Sequence, residues 1–382
     1  MNYFYLCLAL YLTILAFKVV LTIIKPKKLT VASTFDIDYK KITIVQPILS
    51  GDPTLEETLS FNLHANPDVN FLWLIDDNDN KSQELVKLLK QDFSHINIKV
   101  LSYKDCPDKI NPKVFKLNQG LKSVLTDYVV ILDDDAMILP ETLCDLVINL
   151  KENDLTTALP IYKDNGNFWC KLMTQFVNNN SAMTYLPLLW FWKPMSINGM
   201  CYALKNTTIR QLNYFDSILG FLADDLSLAL IMKQKKMKLY QSRHSVLLQT
   251  NIETYDRYKN LMHRWFLFAT LLLKNHSVKE NIVITVLHGI APLFLWMTVL
   301  YGLRDGHYIL LPLVLVIRLL LIQCVHRQVF GKKDLYYYGV SLLAELLQPV
   351  HLFHAFVRKT IFWRTHIYRV ESNEKFYEVE SS

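Results

Sequence analysis

Tyr128-Val129-Val130-Ile131-Leu132-Asp133-Asp134-Asp135 is the stretch on which the fold reading turns. Four consecutive apolar residues, opened by Tyr128 and closed by carboxylates, have the form of a strand buried on both faces. Outward from it the same unit recurs. Residues 42–45 read as a strand ended by Pro47 and the Ser50-Gly51-Asp52-Pro53 turn. Residues 55–64 follow as a helix, with Thr54 as candidate N-cap and Glu57 completing a capping box. Then come a strand at 71–75, a helix at 82–93, a strand at 96–101 and a helix at 113–125. Short apolar runs alternating with amphipathic helices predict an α/β fold with a mainly parallel sheet covered on both faces. Ligands of such sheets bind outside the carboxyl ends of the strands.

Those ends are acidic. The 71–75 strand runs into Asp76-Asp77-Asn78-Asp79, which reads equally well as a polar turn. Three carboxylates directly after Leu132 are harder to dismiss, because like charges so close are costly unless something neutralises them. A hard divalent cation does this with oxygen ligands and leaves positions for phosphate oxygens. In an Asp-x-Asp arrangement Asp133 and Asp135 converge, while Asp134 points away and is expected to tolerate replacement best. Metal plus diphosphate is a leaving-group device. No Gly-x-x-x-x-Gly-Lys loop occurs and the chain has only 10 glycines, which argues against a P-loop kinase or ATPase.

Two further stations carry open alternatives. Asp224-Asp225 opens an amphipathic run at 226–234; it reads as a helix N-cap, or as a general base for an acceptor hydroxyl in a single, inverting displacement. Leu261-Met262-His263-Arg264-Trp265 lies in a helix predicted over 255–273. The Arg264-Trp265 pair suits a membrane interface, and equally suits Arg264 pairing with diphosphate while Trp265 lines an acceptor pocket.

The chain has 382 residues, and its 51% hydrophobic content is concentrated at the two ends. Residues 3–24 contain one charge, Lys18, and are long enough to cross a hydrocarbon core of about 30 Å. They lack the basic start and small-residue cleavage site of a signal peptide. Lys25, Lys27 and Lys28 follow, and the positive-inside rule then puts the next domain in the cytosol. Residues 281–302 and 308–325 form a helical hairpin around the turn at 303–307, with Arg318 inside its second arm. Residues 339–357 read as a third span, a re-entrant segment or an interfacial helix. The expected organisation is an anchor at 1–28, a cytosolic catalytic domain at 40–275, a membrane or re-entrant region at 281–357 and a tail at 358–382. The net charge of +6 is modest, and clusters such as Lys332-Lys333 adjoin apolar runs, so they read as topology signals and nucleic acid is not an expected partner. Six cysteines without paired spacing fit a reducing compartment. A Lys- and Asn-rich, Gly-poor composition points to an AT-rich bacterial genome and an inner membrane.

Taken together the stations resemble family 2-type glycosyltransferases of GT-A fold, above all the ceramide glucosyltransferase group (family 21) and bacterial relatives such as hopanoid-biosynthesis glycosyltransferases. The residues that carry the resemblance are Val45-Gln46-Pro47 with Gly51-Asp52-Pro53, Asp76 to Asp79, Asn111-Pro112-Lys113, Asp133-x-Asp135 with Pro140-Glu141-Thr142-Leu143, Asn198-Gly199-Met200, Ala223-Asp224-Asp225, Arg264-Trp265 and Trp363-Arg364-Thr365-x-x-Tyr368-Arg369. The resemblance implies transfer of one sugar from a nucleotide-sugar, UDP-linked, to the hydroxyl of a membrane lipid of ceramide or hopanoid type. It implies that Asp77 or Asp79 contacts the nucleoside, that Lys113 lies near the phosphates and that Asp133 and Asp135 hold Mn²⁺ or Mg²⁺. Asp225 would be the base with Asp224 beside it in the substrate site, and Arg264-Trp265 would end the (Gln/Arg)-x-x-Arg-Trp motif. This chain departs from that motif at Leu261, and His263 is the candidate substitute. Two other readings are a processive polysaccharide synthase, which needs a larger channel and an intact motif, and a catalytically silent membrane scaffold. The aromatic stretch at 183–192, in the middle of the soluble domain, is expected either as core or as a segment at the inner leaflet that shapes an entrance for a lipid acceptor.

Overall fold

Side chains that alternate across buried strands build two apolar layers around one sheet. A computed structural model describes residues 3–24, 37–104, 106–107, 109–164, 166–331, 338–363 and 366–379. The basic positions Lys25, Lys27, Lys28, Lys332 and Lys333, and the motif residues Arg364 and Thr365, lie outside the described residues. After helix α1 (Tyr3–Ile23) the chain forms β1 (Ile42–Pro47), α2 (Leu55–Ala65), β2 (Asn70–Asp76), α3 (Asn80–Asp92), β3 (Ile98–Tyr103), α4 (Pro112–Leu121) and β4 (Tyr128–Leu132). It continues with β5 (Ala136–Met137), α5 (Pro140–Asn149), β6 (Leu155–Tyr162), α6 (Phe168–Leu188), β7 (Cys201–Lys205), α7 (Asn206–Gln211), α8 (Asp224–Gln234), β8 (Leu239–Leu248) and α9 (Tyr255–Lys274).

The eight strands lie in the order β3-β2-β1-β4-β7-β6-β8-β5. Strands β1 to β4 pair in parallel; β7 runs against β4 and β6, and β5 runs against β8, so the sheet is mainly parallel. Phe71, Trp73 and Ile75 of β2 and Val130 and Leu132 of β4 enter the layer beneath α2, α3 and α5. Leu72, Leu74, Val129 and Ile131 enter the opposite layer with α4, α7 and α8. Gly120 of α4 lies so close to the sheet that a Cβ there would stand 2.6 Å from the Leu74 side chain.

Some boundaries differ from the sequence reading. Strand β3 starts at Ile98 because the Ile96 amide closes a turn on the Phe93 carbonyl. Helix α4 ends at Leu121, where Ser123 bonds back to Gly120 through amide and hydroxyl. The capping box at α2 does not form: Thr54 Oγ1 donates to Asp52, and Glu57 accepts from Lys163 Nζ and Gln249 Nε2 instead.

Beyond α9 come α10 (Val278–Ile284), α11 (Ala291–Arg304), α12 (Leu310–Phe330), α13 (Tyr338–Leu346) and α14 (Gln348–Val357), then β9 (Thr360–Trp363), β10 (His366–Val370) and β11 (Phe376–Glu378). Among the described residues four helical stretches are long and apolar enough to cross a membrane: Tyr3–Ile23, Val278–Arg304, Leu310–Phe330 and Gly339–Val357. The last is two helices, broken at Leu347, with Pro349 in the first turn of α14. The aromatic stretch at 183–192 is the end of α6 and the turn after it, where buried Met183 and Leu186 share an apolar cluster with Leu159 of β6. Ala182, Met183 and Leu186 pack with α1, α11 and α12, and Trp190 Nε1 donates to the Leu21 carbonyl of α1 at 2.8 Å.

The charge inside the second arm of the hairpin has its partner within the bundle. Buried Arg318 donates from Nε to Glu345 at 2.6 Å and from Nη2 to the Ser341 carbonyl at 3.0 Å, while Tyr11 donates to the same Glu345 carboxylate at 3.2 Å. Removing one partner of a buried ion pair leaves an uncompensated charge and costs about 3–5 kcal/mol. Glu345→Ala is therefore expected to lower thermal unfolding in detergent sharply, whereas Arg318→Met combined with Glu345→Leu should recover much of the loss.

Candidate active site

Parallel pairing of β1 with β4 sets two loop beginnings side by side, at the point where the strand order reverses direction. The three carboxylates after β4 then diverge in use. Asp134 turns toward the β1 loop and accepts from the Leu49 amide at 2.8 Å. Asp133 faces the cleft, where Lys113 Nζ stands 2.7 Å from its Oδ1. Asp135 has its carbonyl bonded to the Gln249 amide, while its Oδ1 is buried without a hydrogen-bond partner. Burial, followed by the negative charges of Asp133 and Asp134, holds the Asp135 carboxyl well above the usual carboxylate range.

Lys113 reaches this point because Asn111 caps α4. Asn111 Oδ1 accepts from the amides of Lys113 and Val114, Pro112 occupies the first helical turn, and Asn111 Nδ2 donates to the Phe221 carbonyl at 3.2 Å. The Lys113 ammonium also donates to the Gly199 carbonyl at 2.9 Å and pairs with Asp224 at 3.4 Å. Burial would lower its pKa, but Asp133 and Asp224 outweigh that and hold it well above the usual lysine range.

Asp224 and Asp225 occupy the first turn of α8, with Ala223, not either aspartate, at the N-cap position. Asp225 Oδ1 accepts from the Leu226 amide at 2.7 Å. Its side chain abuts Gly199, where a Cβ would stand 3.0 Å from the Asp225 Cβ and press on the carboxylate's position. Burial first, then the Asp224 charge, pushes the Asp225 carboxyl up to about 7. Lys113, Asp133, Asp224, Asp225, Arg264 and Trp265 all line one cleft of about 510 Å³. Trp265 stands near Tyr162 and Phe176, with ring centroids 6.2 and 6.3 Å away.

The sequence model of glycosyl transferase family 21 matches residues 6–376 of the chain. The chain belongs to glycosyl transferase family 21. Among solved structures it is similar to a mannosyltransferase from Pyrobaculum calidifontis in complex with GDP-Man and Mn²⁺, at 13% identity and a TM-score of 0.54, over 93% of this chain and 98% of that one. It also matches glucosyl-3-phosphoglycerate synthase from Mycobacterium tuberculosis at 15% identity and a TM-score of 0.35, over 59% of this chain and 77% of that one. The first likeness establishes a GT-A fold, and family membership makes the chain a glycosyltransferase.

Not every candidate residue of this glycosyltransferase meets at the cleft. Asp79 caps α3 and accepts from the Ser50 amide at 2.8 Å and from the Ser82 hydroxyl. Burial would raise its pKa, yet these bonds outweigh it and keep the carboxyl below the usual range. Asp77 is exposed at the end of β2 and accepts from the Ser102 hydroxyl. His263 turns away from the cleft: its Nε2 lies 2.9 Å from the Thr360 carbonyl, which requires the proton there, and its ring stands 4.4 Å from that of His354. Burial, then His354, lowers its pKa to about 4. Leu261, where the chain departs from the motif, is half-buried and packs against the core layer beneath α2, α3 and α5. Among the described residues no group of three or more His, Cys, Asp and Glu side chains is arranged to hold a metal ion.

Three participants carried little signal in the sequence. Buried Lys116 donates to Asp76 at 2.9 Å and to the Ile48 carbonyl at 3.0 Å, tying the ends of β1 and β2; only its place one turn after Lys113 hinted at a shared face. Tyr162 and Tyr185 line the cleft from β6 and α6 with no local motif. The uneven duties of the triplet are testable. Asp134→Ala, which strands the Leu49 amide, is expected to cost about 1–3 kcal/mol in unfolding experiments, whereas Asp134→Asn keeps an acceptor and should be milder. Asp135→Asn should raise the melting temperature in EDTA at pH 7. A raised carboxyl pKa penalises the folded state only where the wild-type group is ionised in the unfolded chain, so the gain should vanish toward pH 3.

Proposed function

We propose that this glycosyltransferase moves one sugar from a nucleotide diphosphate sugar, UDP-linked, to a hydroxyl of a membrane lipid, with inversion at the anomeric carbon. One observation carries the lipid acceptor: α6 belongs to two places at once. Its Ala182, Met183 and Leu186 pack in the apolar helical bundle, while Asn180, Ser181, Thr184 and Tyr185 line the cleft that contains Asp133 and Asp225. A lipid whose chains stay among the apolar helices would have its polar end in that cleft.

Asp133 and Asp135 fit a divalent cation, Mn²⁺ or Mg²⁺. They are hard oxygen donors, one of them has a buried oxygen without a partner, and its charge is disfavoured for lack of compensation. Bound there, the metal would neutralise charge on the departing nucleotide diphosphate. The relative from Pyrobaculum calidifontis, solved with GDP-Man and Mn²⁺, supports a donor and metal of this class. Lys113 adds a half-buried ammonium at the same end of the cleft and suits phosphate oxygens. Arg264 supplies a second cation from α9, and Trp265 an apolar wall. Asp77, the exposed acidic residue after β2, is the candidate for the nucleoside.

Asp225 then serves as base. It accepts the proton of the acceptor hydroxyl as that oxygen bonds to the anomeric carbon, while the bond to the diphosphate breaks and its electrons leave with the nucleotide. A carboxyl near pH 7 is ionised for a useful fraction of the time and still basic enough to take a proton. The membrane face would be cytosolic, with residues 40–275 as catalytic domain, in a bacterial inner membrane; protease protection of inside-out vesicles checks that sidedness.

The test is nucleotide release by detergent-purified protein with a panel of UDP- and GDP-sugars, Mn²⁺ and either membrane lipid extract or soluble sugars, with products identified by mass spectrometry. Lipid extract should stimulate release and yield a lipid carrying a single sugar; equal stimulation by soluble sugars would remove the lipid acceptor, and polymer would favour a processive synthase. Asp225→Asn should lower kcat by about 10²–10⁴-fold; wild-type rates would remove the base. In wild type, kcat/KM should rise with pH through the region near 7 as Asp225 loses its proton. Asp224→Asn removes the neighbouring charge that raises that pKa, so the rising limb should move to lower pH.

A further inference from the structure

Helix α8 begins without a cap of its own. Ala223 holds the N-cap position and offers no side-chain acceptor, although the next two residues are the acidic pair of the cleft. The acceptor comes from 150 residues away. Asn373, buried in the turn between β10 and β11, accepts from the Ala223 amide on Oδ1 at 2.8 Å and from the Leu222 amide on its carbonyl at 3.1 Å. Its Nδ2 donates to the Ser227 hydroxyl at 2.7 Å, and that hydroxyl donates to the Ala223 carbonyl at 2.8 Å. Both polar ends of the Asn373 side chain are thus spent on the first turn of α8.

The same small sheet also holds α9. The Thr360 carbonyl, at the start of β9, is the partner of His263, the residue immediately before Arg264-Trp265. Leu222 and Leu226 from the α8 side, Leu267 and Leu271 from α9, and Ile361 and Val370 from the sheet form one apolar cluster. The β9–β11 sheet therefore grips two helices, each next to the residues that helix sends into the cleft.

We propose that the C-terminal sheet is a positioning element of the active site, with Asn373 as the residue that sets Asp225 relative to the acceptor. The proposal rests on the reading of Asp225 as base. Asn373 touches no reacting group and acts through the α8 backbone. Rates of proton transfer and attack fall steeply with misplacement of about 1 Å. The donor groups at the end of β4 and on α4 are anchored by their own elements and meet the start of α8 through the Lys113–Asp224 pair and the bonds of Asn111 to the Phe221 and Leu222 carbonyls, so the α8 cap bears less on donor binding than on Asp225.

The experiment compares wild type, Asn373→Ala, Asn373→Asp, Ser227→Ala and Asp225→Asn as full-length proteins in detergent, using nucleotide release, donor KM, the pH profile and melting temperature. Asn373→Ala is expected to lower kcat by about tenfold or more, with donor KM within about twofold and an altered rising pH limb. Asn373→Asp, which keeps the acceptor for the Ala223 amide, should recover most of kcat. Wild-type kcat in Asn373→Ala, or a loss shared equally by kcat and donor KM that Asn373→Asp does not rescue, overturns the proposal. Should Asn373→Ala fail to fold, Ser227→Ala, which removes the two bonds made by the Ser227 hydroxyl and leaves that of Asn373 Oδ1, gives the same readout: lower kcat at constant KM supports the proposal and an unchanged kcat overturns it. Full activity in Asp225→Asn would instead defeat the assignment of the base, and is distinguishable from either outcome.

Discussion

A half-buried ammonium holds this cleft together. Lys113 stands between Asp133 at the end of β4, Asp224 at the start of α8 and the Gly199 carbonyl before β7. Those elements are far apart in the chain, and each brings negative charge or a carbonyl oxygen to a place shielded from water. Without a cation between them the carboxylates would repel across a short gap in a medium of reduced dielectric. The charge balance at Lys113 is thus what lets these carboxylates stand together at the cleft.

The cation does not satisfy all of the acid. Asp135 keeps an unpartnered buried oxygen and an unfavourable charge, and Asp225 is pushed to about 7 by burial and Asp224. Such groups lower the stability of the protein alone and make it responsive to a ligand that carries a metal and a proton acceptor or donor to the right place. Stability is recovered nearby: Asp134, Asp79 and Lys116 are wholly engaged in tying loop ends together. Neighbouring carboxylates of one sequence cluster therefore divide into braces and unsatisfied groups.

Much of this was legible from local pattern. The apolar runs of β1, β2 and β4, the helices between them and the acidic strand ends announced a mainly parallel α/β sheet and the position of its cleft, because side-chain periodicity and strand-end binding are local rules. The apolar ends announced the helices long and apolar enough to cross a membrane for the same reason. Less was legible where a side chain's direction decides. Asp77 and Asp79 look alike in sequence, yet one caps α3 and the other is exposed. His263 sits beside Arg264 in the chain but on another face of α9, since adjacent helical residues point about 100° apart.

By itself the sequence determined the fold class, the acidic strand ends, the apolar spans and the family likeness, all of which depend on residues close together in the chain. Only the tertiary structure decided that Lys113 neutralises Asp133 and Asp224, that α6 faces both bundle and cleft, and that Asn373 caps α8. Each of these joins groups tens to hundreds of residues apart, and no spacing rule encodes them. They exist because burying one charge or one helix end requires a partner, and folding supplies that partner from whichever element arrives there.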